Sequence, residues 1–442
     1  MLQAVRRNTE LGLILLGTLA TVGAYLLASL AQDASIPGNL GPFLGVLLGL
    51  QLVAHLAVRR FAPEADGTLV PIAGLLNGLG YVFIVRLDEA RAEPQGLAGL
   101  QAAWAGVGIV ALVATLVVIR RTRSLERYRY TIGLIGVGLL LLPLVPGVGR
   151  EINGAKIWVA LGPIRFQPGE FAKIALAVFF ASYLVEKREL LAVSSRRLGP
   201  IALPDLKHLG PVLLAWGVSL VVMIAERDLG SSLLFFALFV ALLWVSTERV
   251  TYLVLGALLF AAGSMFAYSQ FTHVQERVDI WLDPWADPKD DGYQIVEAQF
   301  ALAAGGVTGT GLNLGSPTRI PYVETDFIFA AVGEELGLVG ATAVLFAYML
   351  MVGAGLRIAI RAATPFDRLL ATGLTTLLGV QSFLIIAGVI RVLPLTGVTL
   401  PFMSYGGSSL VANYVLLALL LRISEEGVQR ELEAADRAEV RA

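Results

Sequence analysis

The sequence predicts an all-α polytopic membrane protein, and three observations carry that reading. Of its 442 residues, 56% are hydrophobic and only 15% charged, whereas soluble domains run at about 45–50% apolar and about 25% charged. Mean hydropathy is +0.75. Apolar runs of roughly 20 residues, the helical length that crosses a hydrocarbon core of about 30 Å, recur along the whole chain. Helices satisfy their own backbone groups in lipid, whereas a barrel would show alternating polarity. Such a mixture excludes a cytoplasmic globular enzyme. The absence of cysteine excludes disulfide scaffolds, thiol nucleophiles and Cys-based metal centres, and three dispersed histidines (His55, His208, His273) argue against a His-rich metal site. The net charge of −1 gives no hint of nucleic-acid binding.

Spans are expected near residues 11–31, 40–58, 68–86, 98–119, 130–147, 169–186, 209–226, 228–247, 250–269, 326–356, 367–390 and 405–421. The third is the weakest, because Asn77 and several glycines interrupt it. The first is too long for a cleavable signal, and a second span follows at once. With both termini placed in the cytoplasm, basic residues inside outnumber those outside by roughly two to one, as the positive-inside rule requires. The inner set includes Arg6, Arg7, Arg59, Arg60, the five arginines of 120–129, and Lys187 to Lys207; the outer set includes Arg86, Arg91, Arg277, Lys289, Arg319 and Arg391. The segment 187–208 reads as a connector. The charged tail after Arg422 reads as a solvated helix or disordered end.

The stretch 270–325 falls on the outer side. It carries five aspartates within thirteen residues (Asp279, Asp283, Asp287, Asp290, Asp291), two Asp-Pro steps and two tryptophans. Proline keeps Asp283 and Asp287 out of helical backbone. A carboxylate held there beside apolar tryptophan suits a general base; a solvated acidic turn next to an aromatic anchor suits the same residues. A helix over 293–304 then leads into Gly305-Gly-Val-Thr-Gly309-Thr-Gly311-Leu-Asn-Leu-Gly315. The preceding helix rules out a dinucleotide fingerprint, which needs strand–turn–helix context. These glycines fit either a compact loop or backbone amides approaching a diphosphate. Thr325 and Asp326 stand where the tenth span begins and are candidates to cap it. Glu334 and Glu335 lie inside that span and call for a partner or a wet cavity. Glu170 and Lys173 share a helix face at i,i+3, and Asp228 is placed to cap the eighth span. Pro394 to Ser409 breaks the helical signal, which is tolerated at membrane depth only where backbone is buried in protein or lines a wet cavity.

The segments FQPGE-x-x-K (167–173), RDLGSS (227–232), R-V-x-x-W-L-D-P-W-A-D-P…GYQ (277–294), TDFIFA-x-x-GEELG (325–337) and LTGVTLPFMSYGGSS (395–409) together resemble the SEDS family, the RodA and FtsW type proteins of shape, elongation, division and sporulation. The resemblance covers about residues 68–424. It implies a ten-span SEDS helical bundle preceded by two N-terminal transmembrane helices, similar to the actinobacterial long form. Domains are accordingly expected at 1–62 (a two-helix membrane extension), 63–424 (the glycosyltransferase core) and 425–442 (a charged cytoplasmic tail). The sequence departs from the family wording at Gly169 (usually Ser), at Arg227 (usually Pro) and at Ile157 (usually Arg).

By that resemblance the activity is peptidoglycan glycosyl transfer, polymerising lipid II on the outer face of the cytoplasmic membrane during elongation or division. The implied partners are a class B penicillin-binding protein, a transpeptidase, and other elongasome or divisome membrane proteins. The family's essential aspartate carries over to Asp287, in the Asp-Pro step six residues before GYQ. Arg277, Lys289, Gln294, Arg319, Thr325, Asp326, Ser404 and Tyr405 are then the candidate substrate-binding residues. Glu170, Lys173 and Asp228 are expected to form a structural charge network. Mg²⁺ or Mn²⁺, bound through oxygen, is the only cofactor expected, with no organic group. Two other readings stay open at this point: a flippase for the lipid-linked precursor, which intramembrane charges and broken helices also suit, and a non-catalytic scaffold of the same machinery.

Overall fold

The computed structural model describes residues 2–33, 38, 40–91, 93–152, 155–162, 164–192, 194–198, 201–204, 217 and 224–441. Among them, ten helices are long and apolar enough to cross a membrane. The protein is an all-α polytopic membrane protein. The long helices are α1 (Leu2–Asp33), α2 (Leu40–Phe61), α3 (Leu69–Glu89), α4 (Leu97–Val118), α7 (Pro168–Ala192), α8 (Leu229–Thr247), α9 (Val250–Gln270), α12 (Ile328–Ile360), α13 (Pro365–Val389) and α14 (Gly407–Arg441); the shorter α5 (Arg123–Arg127), α6 (Arg129–Leu141), α10 (Thr272–Leu282) and α11 (Tyr293–Gly305) complete the set. The fifth expected span is therefore shorter than the sequence suggests. Residues 142–144 tighten into a 3₁₀ turn at Pro143, which ends the helix. The seventh expected span, 209–226, lies almost wholly outside the described residues.

Two compact units emerge. One comprises Met1–Val118, Glu276–Ala354 and Gln381–Glu425; the other comprises Ile119–Gln275, Gly355–Val380 and Glu426–Ala442.

In the first unit, α1 and α2 pack onto α3 and α4 instead of standing apart as an appendage. Phe43 of α2 stacks between Tyr25 of α1 (ring centroids 4.4 Å apart) and Tyr81 of α3 (5.3 Å). Gly78 lets α1 approach α3, since a Cβ there would lie 2.6 Å from the Thr21 hydroxyl. At one end of this unit the Arg7 guanidinium, paired with Glu10, donates to Pro63 O (3.0 Å) and Ala65 O. His55 Nδ1 reaches the same Glu10 at 2.9 Å. Arg422 of α14 donates to Phe61 O (2.9 Å) and Leu116 O (2.6 Å), and the Asp66 amide to Ser424 Oγ (3.0 Å). The residues tied together here are ones the charge pattern assigns to the cytoplasmic side. The expected tail is a helical continuation of α14; it is buried at Glu425 and exposed from Gln429 to Glu439.

In the second unit, α6 lies against α7 where Gly133 makes room for the Phe179 ring. Phe180 of α7 meets Phe239 of α8 at 5.8 Å. Asp228 (φ −108°, ψ 96°) caps α8, and Pro168 opens α7 at a position where a missing N–H costs nothing. One amendment to the all-helical expectation is needed. After α6 the chain folds into a small antiparallel sheet of β1 (Gly149–Ile152), β2 (Ala155–Leu161) and β3 (Ile164–Phe166), in that order. The connector after α7 holds a second hairpin, β4 (Ser194–Leu198) with β5 (Ile201–Pro204).

Candidate functional site

The stretch 270–325, expected on the outer side, is built around helices α10 and α11. Within the first unit it is a helical hairpin, with the end of α10 leading through an acidic turn into α11. Arg391 holds the end of α10 in place. Its Nε donates to Trp281 O (2.8 Å), its Nη2 donates to Leu282 O, and its own carbonyl accepts from Trp281 Nε1 (3.3 Å). Arg277 adds a bond from Nη1 to Leu395 O (3.0 Å). The acidic turn thus leaves a helix end fixed at two points.

The turn is closed by Gly292. Its amide donates to Asp287 O at 2.9 Å, and a Cβ at this position would stand 2.1 Å from Pro284 O and 2.8 Å from Asp287 O. Only glycine allows this approach. Pro284 is buried, while Trp285 sets its ring edge-on to Phe300 of α11 (5.6 Å, 82°) and so ties the turn to the next helix. Asp283 is exposed and accepts from the Trp285 amide (3.2 Å). Asp287 is exposed too; its Oδ1 takes the Asp290 amide at 3.3 Å. Its Oδ2 has no hydrogen-bond partner among the described residues.

The other expected site residues divide into two groups. Arg277 and Asp326 come together over Gly397, whose missing Cβ would lie 3.7 Å from Asp326 Oδ2 and 3.8 Å from Arg277 Nη1. Ser404 is buried, donates to Thr325 O (2.5 Å) and accepts from the Leu400 amide (2.9 Å). The Tyr405 amide donates to Glu324 O (2.8 Å). Thr325, Ser404 and Tyr405 therefore join the 394–406 segment to the start of α12. Lys289 and Arg319 are exposed and their side chains make no hydrogen bond or ion pair among the described residues; Gln294 is half-buried on α11. The capping role considered for Thr325 and Asp326 does not materialise for Thr325, since α12 begins at Ile328 and the Thr325 hydroxyl donates back to Tyr322 O (3.0 Å).

The glycine segment 305–315 resolves as a compact loop, in which the amides of Gly309, Thr310, Gly311 and Leu314 already have partners. Gly337 (φ 65°, ψ −166°) breaks α12. That break frees the carbonyls of Glu334 and Glu335, which accept from Thr310 N (2.9 Å) and Gly311 N (3.0 Å). Leu338 N and Val339 N in turn donate to Gly306 O (3.0 Å) and Val307 O (3.1 Å). The loop thereby replaces the helix's own ladder, as buried backbone requires. A Cβ at Gly309 would lie 2.2 Å from Glu335 O. Amides engaged in this way are closed to a diphosphate.

Three polar attachments escape the sequence reading. Glu335 pairs with Arg86 at 2.6 Å, Glu324 with Arg91 at 2.7 Å, and Asp88 accepts the amides of Gln95 and Leu97 (both 2.8 Å) at the start of α4. Glu334 Oε1 accepts from the Ser316 amide (2.7 Å), and Arg86 Nη2 reaches Gly315 O (2.8 Å). Glutamates inside a span signal the need for partners, but residues some 250 positions away cannot be matched to them from one sequence.

In the second unit, Lys173 Nζ lies 2.9 Å from Glu170 Oε1, with both side chains largely buried. Asp228 directs its carboxylate at Ser231, taking the amide at 3.0 Å and the hydroxyl at 2.5 Å. Among the described residues no three or more His, Asp or Glu side chains converge as a metal-binding group.

The family model for FtsW/RodA/SpoVE proteins, described as cell cycle proteins, matches residues 67–429. The chain belongs to this family. It is 46% identical over 437 residues to the peptidoglycan glycosyltransferase RodA of Mycobacterium tuberculosis, covering 98% of this chain and 93% of that protein. α1 and α2, which precede the matched range, thus fall within the stretch shared with that relative. Two solved structures are similar as well. One belongs to work on how a peptidoglycan synthase complex coordinates polymerization and crosslinking (TM-score 0.67, 28% identity, 83% of this chain and 99% of that one). The other is the rod shape determining protein RodA of Thermus thermophilus (TM-score 0.57, 28% identity, 81% and 96%).

Proposed function

We propose that this FtsW/RodA/SpoVE-family protein is a peptidoglycan glycosyltransferase that polymerises lipid II at the outer face of the cytoplasmic membrane, with Asp287 as its general base. The observation that carries this reading is the acidic turn. Its backbone is pinned by Gly292, Arg391 and Trp285, while the Asp287 carboxylate projects with one oxygen free. A sugar hydroxyl attacks the anomeric carbon of a second lipid-linked sugar, and its proton passes to Asp287. The new C–O bond forms as the bond to undecaprenyl diphosphate breaks, and the diphosphate leaves with the electron pair. Base assistance of this kind contributes about 10²–10⁴-fold.

The departing diphosphate needs positive charge. Lys289, two residues after Asp287, and Arg319 are exposed cations whose side chains have no partner among the described residues, whereas Arg277 already holds Leu395 and serves to position α10. Mg²⁺ or Mn²⁺, when bound, would neutralise phosphate charge; the Asp287 carboxylate with substrate phosphate oxygens is the donor set such ions favour. The outer location is supported by the ends that meet in the first unit. Arg91, Asp88 and Glu324 gather on one side, and Arg7, Ser424 and Arg422 on the other. A class B penicillin-binding protein is the proposed partner, in keeping with the pairing of polymerization and crosslinking in the similar synthase complex.

Purified protein in detergent with lipid II tests the reading. Glycan strands from the wild-type chain and none from Asp287→Asn, at equal thermal stability, are expected. Undiminished polymer from Asp287→Asn would refute the base assignment, and lipid movement across vesicles without any polymer would favour a flippase.

A further inference from the structure

A groove lies within the first unit between α2, α3 and α4, walled by Phe43, Val46, Leu47, Leu50, Ala102 and Ala105. Its wide part has a volume of about 180 Å³ and is open along one side, more room than the ~150 Å³ that accommodates a benzene ring. A narrower void of about 30 Å³ continues it along α2 past Leu47 and Leu50 to Ala54. From Pro42 to Ala54 the helix rises about 18 Å, close to one leaflet's half of a ~30 Å hydrocarbon core. The shape is that of a single chain lying beside a helix.

Two polar groups break this apolar lining. Gln101 is 1% exposed, yet neither its Nε2 nor its Oε1 has a hydrogen-bond partner among the described residues. Asn77 uses Nδ2 on Tyr414 Oη (3.1 Å) and leaves Oδ1 unpaired. An amide left unpaired in hydrocarbon is costly, so the groove is built for an occupant that brings a polar atom along with its chain. Gln101 lies about 6 Å below the first residue of α4. It therefore stands near an end of this span, and the ester linkages of a bilayer lipid likewise lie at the end of its hydrocarbon chains.

We infer that this groove binds one acyl chain of an ester-linked glycerophospholipid, with the Gln101 Nε2–H group donating to the ester carbonyl. One wall of the site is α2, which precedes the family's matched range, while α3 and α4, with Asn77 and Gln101, lie within it; the groove shares no residue with the acidic turn. A polyprenyl phosphate fits less well, because it has no ester carbonyl to meet the amide.

The full-length protein, stripped in detergent and then equilibrated with phosphatidylglycerol vesicles, can be examined by native mass spectrometry. The wild type is expected to retain one phospholipid more than Ala102→Phe, which fills the groove; Leu47→Trp offers a second filling variant should Ala102→Phe fail to accumulate. Wild-type protein should prefer ester-linked over ether-linked phosphatidylglycerol by about two- to twelvefold, the worth of one hydrogen bond. Gln101→Leu should bind both lipids equally. Equal retention by wild type and both filling variants, an absence of ester preference in the wild type, or displacement of the phospholipid by a polyprenyl phosphate or a transmembrane peptide would each overturn the inference.

Discussion

Replacing Gly292 with alanine tests whether the acidic turn is a positioned catalytic element or merely an exposed loop. The new methyl would arrive 2.1 Å from Pro284 O and 2.8 Å from Asp287 O. Ordinary contact needs at least another 1 Å or so at the nearer oxygen. Both obstacles are backbone, and Pro284 is buried, so no side chain can swing aside. Overpacking of this kind costs about 1–3 kcal/mol, and losing the Gly292 N–H···O=C Asp287 bond adds about 0.5–1.5 kcal/mol. The turn will relieve this by opening, which carries Asp287 outward by about the same 1 Å. Displacement on that scale costs on the order of 10² in rate. Gly292→Ala should therefore polymerise lipid II about a hundredfold more slowly, while the melting temperature falls by only a few degrees, since the rearrangement is confined to the turn. Wild-type turnover in this variant would refute the positioning argument. A rate loss accounted for by unfolded protein at the assay temperature would refute it as well.

Arg391→Met removes both donors that hold the end of α10 and should slow glycan synthesis about tenfold, roughly the worth of one charged hydrogen bond, in the same lipid II assay. Gly309→Ala drives a Cβ into Glu335 O at a residue whose φ is +85°. It should lower the detergent-solubilised melting temperature strongly or prevent accumulation, as read by fluorescence-detected size exclusion. Arg86→Leu strands Glu335 in a buried site and should cost about 3–5 kcal/mol; the double variant with Glu335→Leu should recover most of it. Failure of the double variant to recover stability would mean that the pair has a role beyond mutual neutralisation.

The spans were legible because their signal is local. A run of apolar residues is long enough or it is not, and most of the expected boundaries lie within a few residues of the observed helices. The short α6 was misjudged because the apolar run continues through Pro143 to Val148, and hydropathy does not register that the chain has left the helix. The three-stranded sheet was missed for a related reason: β1 to β3 are short and flanked by glycines, with too few residues to show a period. In the candidate site, the Asp-Pro steps fall on Asp283 and Asp287 alike, and only the resemblance chooses Asp287. The supports of that aspartate could not be read in the sequence. Arg391 lies about 110 residues from the helix end it clamps, and Gly292 read only as part of a motif until the oxygen it admits was located. The glycine segment 305–315 suited two readings, a compact loop or a phosphate cradle, and composition alone does not choose between them. The choice falls to Gly337, which opens a gap in α12 that amides of the segment fill.

That last exchange bears on how the protein can hold a precise site at a membrane face. Two stretches of the first unit abandon regular helix, 305–315 with the kink of α12, and 394–406. Each compensates its exposed backbone in detail. The first does so through four reciprocal bonds between the loop and residues 334–339. The second does so through Gln381 Nε2 to Thr399 O (2.8 Å), Tyr348 Oη to Pro401 O (2.7 Å) and Ser404 Oγ to Thr325 O. A soluble enzyme could leave such groups to water, and its loops would be correspondingly mobile. Where solvent is scarce, every carbonyl that leaves a helix must find a protein donor, and the search ends only when the loop has one conformation. Broken helices in this fold are therefore a source of rigidity. The second of them also accepts Arg277 at Leu395 O, which holds α10 ahead of the acidic turn, so that the preorganised element there is protein backbone.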